Sequence, residues 1–171
     1  ARDVEAEEIA LGGNVLWQGP EQVHPRMHHH LDKLPNGNYL DLRHQYDEEY
    51  PNITGDVIEE ISPDHEVMWN WNYFDHLEPG SDSQSDWTHS NSVTMDFDEG
   101  VMYVSSRNLS LVFKINLEGN NEIIWALGEG GDFKPDPKAT YPWTIHQHEP
   151  EIQNNGNILI YDNGSSKRPF S

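Results

Sequence analysis

Three histidines recur at comparable places in this chain: His29, His89 and His148. Each follows a loop that begins after an apolar segment ending in tryptophan, and each precedes a strand-like run built around a glycine turn. Asn91 stands close to His89, and Arg107 follows the next strand-like run. Imidazoles attack electrophiles or carry protons near neutral pH. An amide and a fixed guanidinium supply hydrogen-bond donors and positive charge, a set suited to a small tetrahedral oxyanion such as sulfate or phosphate. A repeat that puts one histidine at the same point of each unit can bring these side chains together.

Each residue also has a plainer role to weigh. A lone histidine at a strand start is most often a surface or turn residue, and recurrence is what argues otherwise here. Arg107 could pair with surface acids, and Asn91 could cap a turn. His146 reads as a packing or loop residue, and His28 and His30 carry no assigned role.

The repeat is legible in three segments. NVLWQ, EVMWN and EIIWA carry Trp17, Trp69 and Trp125, which are 52 and 56 residues apart. These tryptophans read as packing residues between sheets rather than as a substrate platform. After each comes a loop, a histidine, and a turn with glycine: GNYLDL at Gly37, GVMYVSS at Gly100 and GNILIYD at Gly156. His29 and His148 each stand eight residues before their glycine. A third strand follows in the two complete units, DVIEEI (56–61) and LVFKI (111–115), and the tryptophan strand closes each unit. Asn-Gly turns between alternating apolar positions predict hairpins.

The expected fold is therefore all-β, built of four-stranded antiparallel meanders of β-propeller blade size. Residues 1–18 read as a lead-in and the closing strand of a preceding blade, 28–71 and 89–127 as blades, and 147–171 as an incomplete blade. The acidic opening ARDVEAEE is compatible with a helical turn or an extended segment. Two blades with parts of neighbours leave sheet faces uncovered, so a missing chain segment or another subunit is expected to supply the rest.

Composition narrows the partners. With 30 acidic against 10 basic residues, the net charge of −20 repels nucleic acid and anionic membranes. It reads chiefly as a heavily hydrated surface, with an acidic patch for a cationic partner as the alternative. No apolar run approaches the roughly 20 residues of a membrane-spanning helix. No signal peptide is evident and the chain opens on Ala1, which reads as a mature or trimmed product. There is no cysteine, so disulfides play no part. Sequons begin at Asn52, Asn108 and Asn163.

The chain resembles the bacterial arylsulfotransferase family in DWTHSNSV, SSRNLS, the segment from Trp125 to Phe133, and QHEPEIQNNGNILIYDNG. The likeness runs from about Met27 to the C-terminus. It implies a six-bladed propeller that moves a sulfuryl group from an aryl sulfate to a phenol through a sulfated histidine. The nucleophilic histidine of the family's Q-H-D motif matches His148 in Gln147-His148-Glu149, where Glu149 replaces the usual aspartate. The T-H-S-N motif matches His89 and Asn91, and the arginine of S-R-N-L matches Arg107. The histidine before L-P-N-G-N matches His29, followed by His30 where aspartate is usual. Arg107 and Asn91 would stabilise the peripheral oxygens by roughly 3 kcal/mol per good donor, and His89 or His29 would exchange protons with the two phenols. The resemblance also implies an extracytoplasmic location.

No cofactor is expected: GEGGDF lacks the Lys-Ser/Thr of a phosphate-binding loop. His28-His29-His30 and His146-x-His148 could ligate a transition metal, but they match no tight zinc motif. DFDEG (96–100) is better read as an acidic hairpin turn than as a calcium loop. The principal alternative to a transferase is a non-enzymatic binding or scaffold module on the same fold. A metal-dependent hydrolase is the third reading.

Overall fold

The computed structural model describes residues 6–20 and 26–164. Twelve strands follow one another: β1 (Glu7–Ile9), β2 (Val15–Gln18), β3 (Met27–Lys33), β4 (Tyr39–Tyr46), β5 (Thr54–Ile61), β6 (Val67–Asn72), β7 (Ser90–Asp96), β8 (Val101–Ser106), β9 (Leu111–Asn116), β10 (Ile123–Gly128), β11 (His148–Ile152) and β12 (Ile158–Tyr161). Among the described residues the one helical element is a 3-10 turn at Tyr73–Asp75. The protein is all-β, and its sheets are antiparallel meanders between consecutive strands. It divides into two compact units, Ala1–Pro79 and Gly80–Ser171.

The first unit holds the hairpin β1-β2 and the four-stranded sheet β3-β4-β5-β6. The acidic opening is thus extended from Glu7, so β2 closes a strand pair rather than standing alone. Residues 1–5 lie outside the described residues. In the second unit β7-β8-β9-β10 form a four-stranded sheet and β11-β12 a hairpin. The part of the incomplete blade after Gly164 also lies outside the described residues.

Tight turns set the register. In the β3-β4 turn, Leu34 N–H bonds to Asn38 O and Gly37 N–H to Leu34 O, while Asn36 Oδ1 accepts from Asn38 N–H. The β11-β12 turn repeats this at Gln153, Gly156, Asn157 and Asn155. Gly37 and Gly156 have φ of 92° and 81°. No atom lies within 4 Å of where their Cβ would stand, so backbone conformation rather than crowding calls for glycine.

The two central strands of each four-stranded sheet carry most of its buried residues. Every residue of β8 is buried, as are the first four of β4. Leu40, Leu42, Ile58, Ile61 and Trp71 form much of one core, and Val93, Met102, Val104, Val112, Phe113 and Ile115 much of the other. Fully burying such a side chain contributes about 1.5–3 kcal/mol.

Trp17 meets the packing expectation. It stacks on Tyr39 at 3.7 Å, and its indole N–H reaches Pro63 O at 3.1 Å. Trp69 and Trp125 are only half-buried. The deepest tryptophan is Trp71, two positions beyond Trp69, stacked on His76 at 4.7 Å. Exposed apolar side chains mark the two hairpins: Ile9 and Leu16 on β1-β2, Leu159 and Tyr161 on β11-β12.

Candidate functional site

The first strand of every complete or partial sheet that carries a site histidine begins irregularly. Register shifts fall between Met27 and Leu31 in β3, between Ser90 and Ser92 in β7, and between His148 and Glu151 in β11. A left-handed residue sits at each: His29 (φ 58°), His89 (φ 42°) and Glu149 (φ 46°). Non-glycine residues seldom adopt this conformation, and bulges re-aim side chains beside functional sites.

Hairpin register refines the repeat. His29 lies four residues before Lys33, which pairs with Tyr39; His148 lies four before Ile152, which pairs with Ile158. The same count back from Asp96, which pairs with Val101, reaches Ser92. His29 and His148 are therefore register equivalents, while His89 stands three residues earlier, just outside β7.

Within the second unit, hydrogen bonds tie the predicted residues into one network. Arg107 N–H bonds to His89 O (3.2 Å), and Asn108 joins the same corner through Thr88 O and Asp86 O. Asn91 Nδ2 donates to Gln147 O at 2.8 Å, holding the residue before His148. Ser105 Oγ donates to the same carbonyl, and Ser92 Oγ accepts from Glu149 N–H at 3.0 Å. Asn91 is thus buried and committed to the chain by one N–H, and its Oδ1 has no hydrogen-bond partner among the described residues. Its first task is to position His148, beyond the donor role expected of it. His29 belongs to the first unit and is described there.

Gln147 anchors the approach to His148. Fully buried, it directs Nε2 to Ser105 Oγ, Ser106 O and Leu111 O at 3.2, 3.1 and 2.9 Å. Its neighbour His146 is held from behind by Ser110 Oγ, and burial, then the Arg107 charge, pushes its imidazole below the ordinary value. His146 is therefore a neutral loop residue near Arg107, consistent with its expected role.

Arg107 itself keeps its charge uncompensated. Nη1 donates to Asn108 Oδ1 at 2.8 Å, and among the described residues Arg107 forms no ion pair. In a chain with 30 acidic residues, that is an arrangement able to accept an external anion.

Two side chains that sequence reasoning did not single out decide which ring nitrogens carry protons. Asp86 Oδ2 accepts from His89 Nδ1, so neutral His89 carries its proton on Nδ1. Asn163 acts oppositely on His148. Its Nδ2 donates to His146 O at 2.8 Å, which can only accept, and the same nitrogen lies 2.9 Å from His148 Nδ1. Nδ1 therefore accepts, and neutral His148 carries its proton on Nε2. Asn163 lies in the segment QHEPEIQNNGNILIYDNG, yet spacing alone gave no reason to link it back to His148.

In the first unit, His28 Nε2 lies 3.0 Å from Asp56 Oδ1, and His28 Nδ1 lies 3.0 Å from His29 Nδ1. The buried carboxylate accepts a hydrogen bond from His28 Nε2–H. His28 Nδ1 then accepts from His29 Nδ1–H. His30 lies against Asp32 at 3.3 Å. A shallow pocket of roughly 340 Å³, lined by Ala6, Glu7 and Met27 to Leu31, opens beside these rings.

The chain is built of all-β meanders, with histidines at irregular strand starts in each unit and Arg107 in the turn between β8 and β9. The Arylsulfotransferase (ASST) family profile matches residues 5–169, beginning well before Met27. The chain belongs to the arylsulfotransferase family. A search of curated proteins found no match to it.

Proposed function

We propose that this chain catalyses sulfuryl transfer from an aryl sulfate to a phenolic acceptor through a sulfated His148, on a scaffold that belongs to a six-bladed propeller. Family membership supports an arylsulfotransferase activity in general. The observation that carries the residue-level reading is Arg107, a guanidinium without an acidic partner among the described residues, hydrogen-bonded at its backbone to His89. The exposed apolar residues of β1-β2 and β11-β12 support further strands packing on both hairpins. The extracytoplasmic location remains part of the proposal, resting on the family resemblance.

The chemistry follows from the proton positions. His148 rests with its proton on Nε2, so transfer begins when Asn163 releases Nδ1 and the proton moves there. The Nε2 lone pair then attacks sulfur. An N–S bond forms, the S–O bond to the aryl group breaks, and its electron pair leaves with the phenolate. His89, as the imidazolium, gives its Nε2 proton to that phenolate and, neutral again, later takes the proton of the incoming phenol. The acceptor oxygen attacks the sulfo group and restores His148. Arg107 and the second N–H of Asn91 stabilise the peripheral oxygens, each by roughly 3 kcal/mol.

The test is release of nitrophenol from p-nitrophenyl sulfate in the presence of a phenol. His148→Ala should abolish release, Arg107→Ala should lower kcat by about 10²-fold, and mass spectrometry should find a sulfo group on His148. A folded protein that releases no nitrophenol is instead a binding or scaffold module of the same fold.

A further inference from the structure

The histidine tract of β3 meets a second histidine and a carboxylate from the neighbouring strands. His28 stands on β3, His44 on β4 and Asp56 on β5, and His44 and Asp56 are direct cross-strand partners. His28 Nε2 lies 3.0 Å and His44 Nδ1 3.6 Å from the same Asp56 oxygen, Oδ1. The two rings stack at 4.2 Å, 21° from parallel. All three donor atoms lie within 4.8 Å of one another. Asp56 is fully buried, and the two imidazoles are partly open.

We infer that His28, His44 and Asp56 bind a divalent transition metal of the zinc type. Ligand atoms on one tetrahedral zinc, at about 2.0–2.2 Å from the metal, lie roughly 3.3–3.5 Å apart. The two distances to Asp56 bracket that range, so side-chain rotations alone close the set. Two imidazoles and one carboxylate match zinc's preference, with a fourth position open to water. Each ligand comes from a different strand of one sheet, which fixes its position more firmly than a loop would. The cation would offset the buried Asp56 charge and clasp β3, β4 and β5 together.

The proton balance adds a specific consequence. Without metal, His28 holds its proton on Nε2, toward Asp56, and His29 holds its own on Nδ1. Metal displaces the Nε2 proton, and the neutral, ligating His28 carries its proton on Nδ1. His28 Nδ1–H then donates to His29 Nδ1, so the proton of His29 moves to Nε2. Metal at the triad therefore reverses the proton position of a histidine that does not touch it.

Titration of the metal-free 171-residue protein with Zn²⁺ tests this, read by calorimetry and by imidazole ¹⁵N shifts. The expected result is one tight site per chain, a raised Tm, and passage of the His29 proton from Nδ1 to Nε2. His44→Ala, at a partly exposed position, should weaken the site by more than about 100-fold while far-UV circular dichroism stays unchanged. His30→Ala should bind normally. No stoichiometric binding overturns the inference. So does binding that survives His44→Ala but is lost in His30→Ala, since that marks adventitious capture by the His28-His29-His30 tract.

Discussion

Asn163 donates its side-chain amide to His148 Nδ1 at 2.9 Å while the same nitrogen holds His146 O at 2.8 Å. The carbonyl can only accept, so the orientation of the amide is decided, and with it the resting proton of His148. The other ring nitrogen, Nε2, therefore starts as a donor.

Imidazole ¹⁵N shifts should accordingly show neutral His148 protonated at Nε2 in the wild type. In Asn163→Ala the Nδ1 acceptor loses its donor, and the two tautomers should become comparably populated. A wild-type signal from the Nδ1–H form would mean that Asn163 does not govern this ring.

Asp86 accepts from His89 Nδ1 and so orients that ring. Asp86→Ala should lower kcat by about 10²-fold, the low end of what a positioned acid-base group contributes, while KM changes little. A rise in KM with kcat intact would assign Asp86 to substrate binding instead.

Gln147 is a buried amide whose Nε2 serves Ser105, Ser106 and Leu111. Gln147→Ala leaves a cavity and strips these acceptors of a donor. Denaturant unfolding should show a loss of about 3 kcal/mol. A loss below about 1 kcal/mol would show that the loop before His148 is held elsewhere.

Asp41 and Glu59 flank Arg43, which bonds to both. Burial lifts the Asp41 carboxyl above its ordinary value against the pull of Arg43; burial likewise lifts Glu59, with Asp41 adding to it. Both groups therefore bind a proton more tightly folded than unfolded. Their contribution is complete below the ordinary carboxylate values and is lost as pH rises through the raised ones. Asp41→Asn cannot ionise. Its Tm relative to wild type should therefore be higher near pH ~7 than near pH ~4; a constant difference would contradict the raised value.

The meanders were legible because alternation and turn chemistry are local. Asn36-Gly37 and Asn155-Gly156 declare hairpins, and the tryptophan strands mark where sheets close. Trp71 was less visible than Trp69, because burial depends on which end of the strand lies under the next layer. The lone closing strand became the β1-β2 pair because three residues, Glu7–Ile9, are too few to show alternation.

Residue types and order sufficed for the family, for four-stranded sheets, and for the candidates His29, His89, Asn91, Arg107 and His148. Tertiary structure decided what several of them bond to. It put Asn163 on His148, Asp86 on His89 and Asp56 on His28, and gathered His28, His44 and Asp56 from three strands. The reason is physical: hydrogen bonds and ligand sets join atoms across a sheet, and pairs such as Asn163 with His148 and Asp56 with His28, 15 and 28 residues apart, leave no periodic trace in the chain.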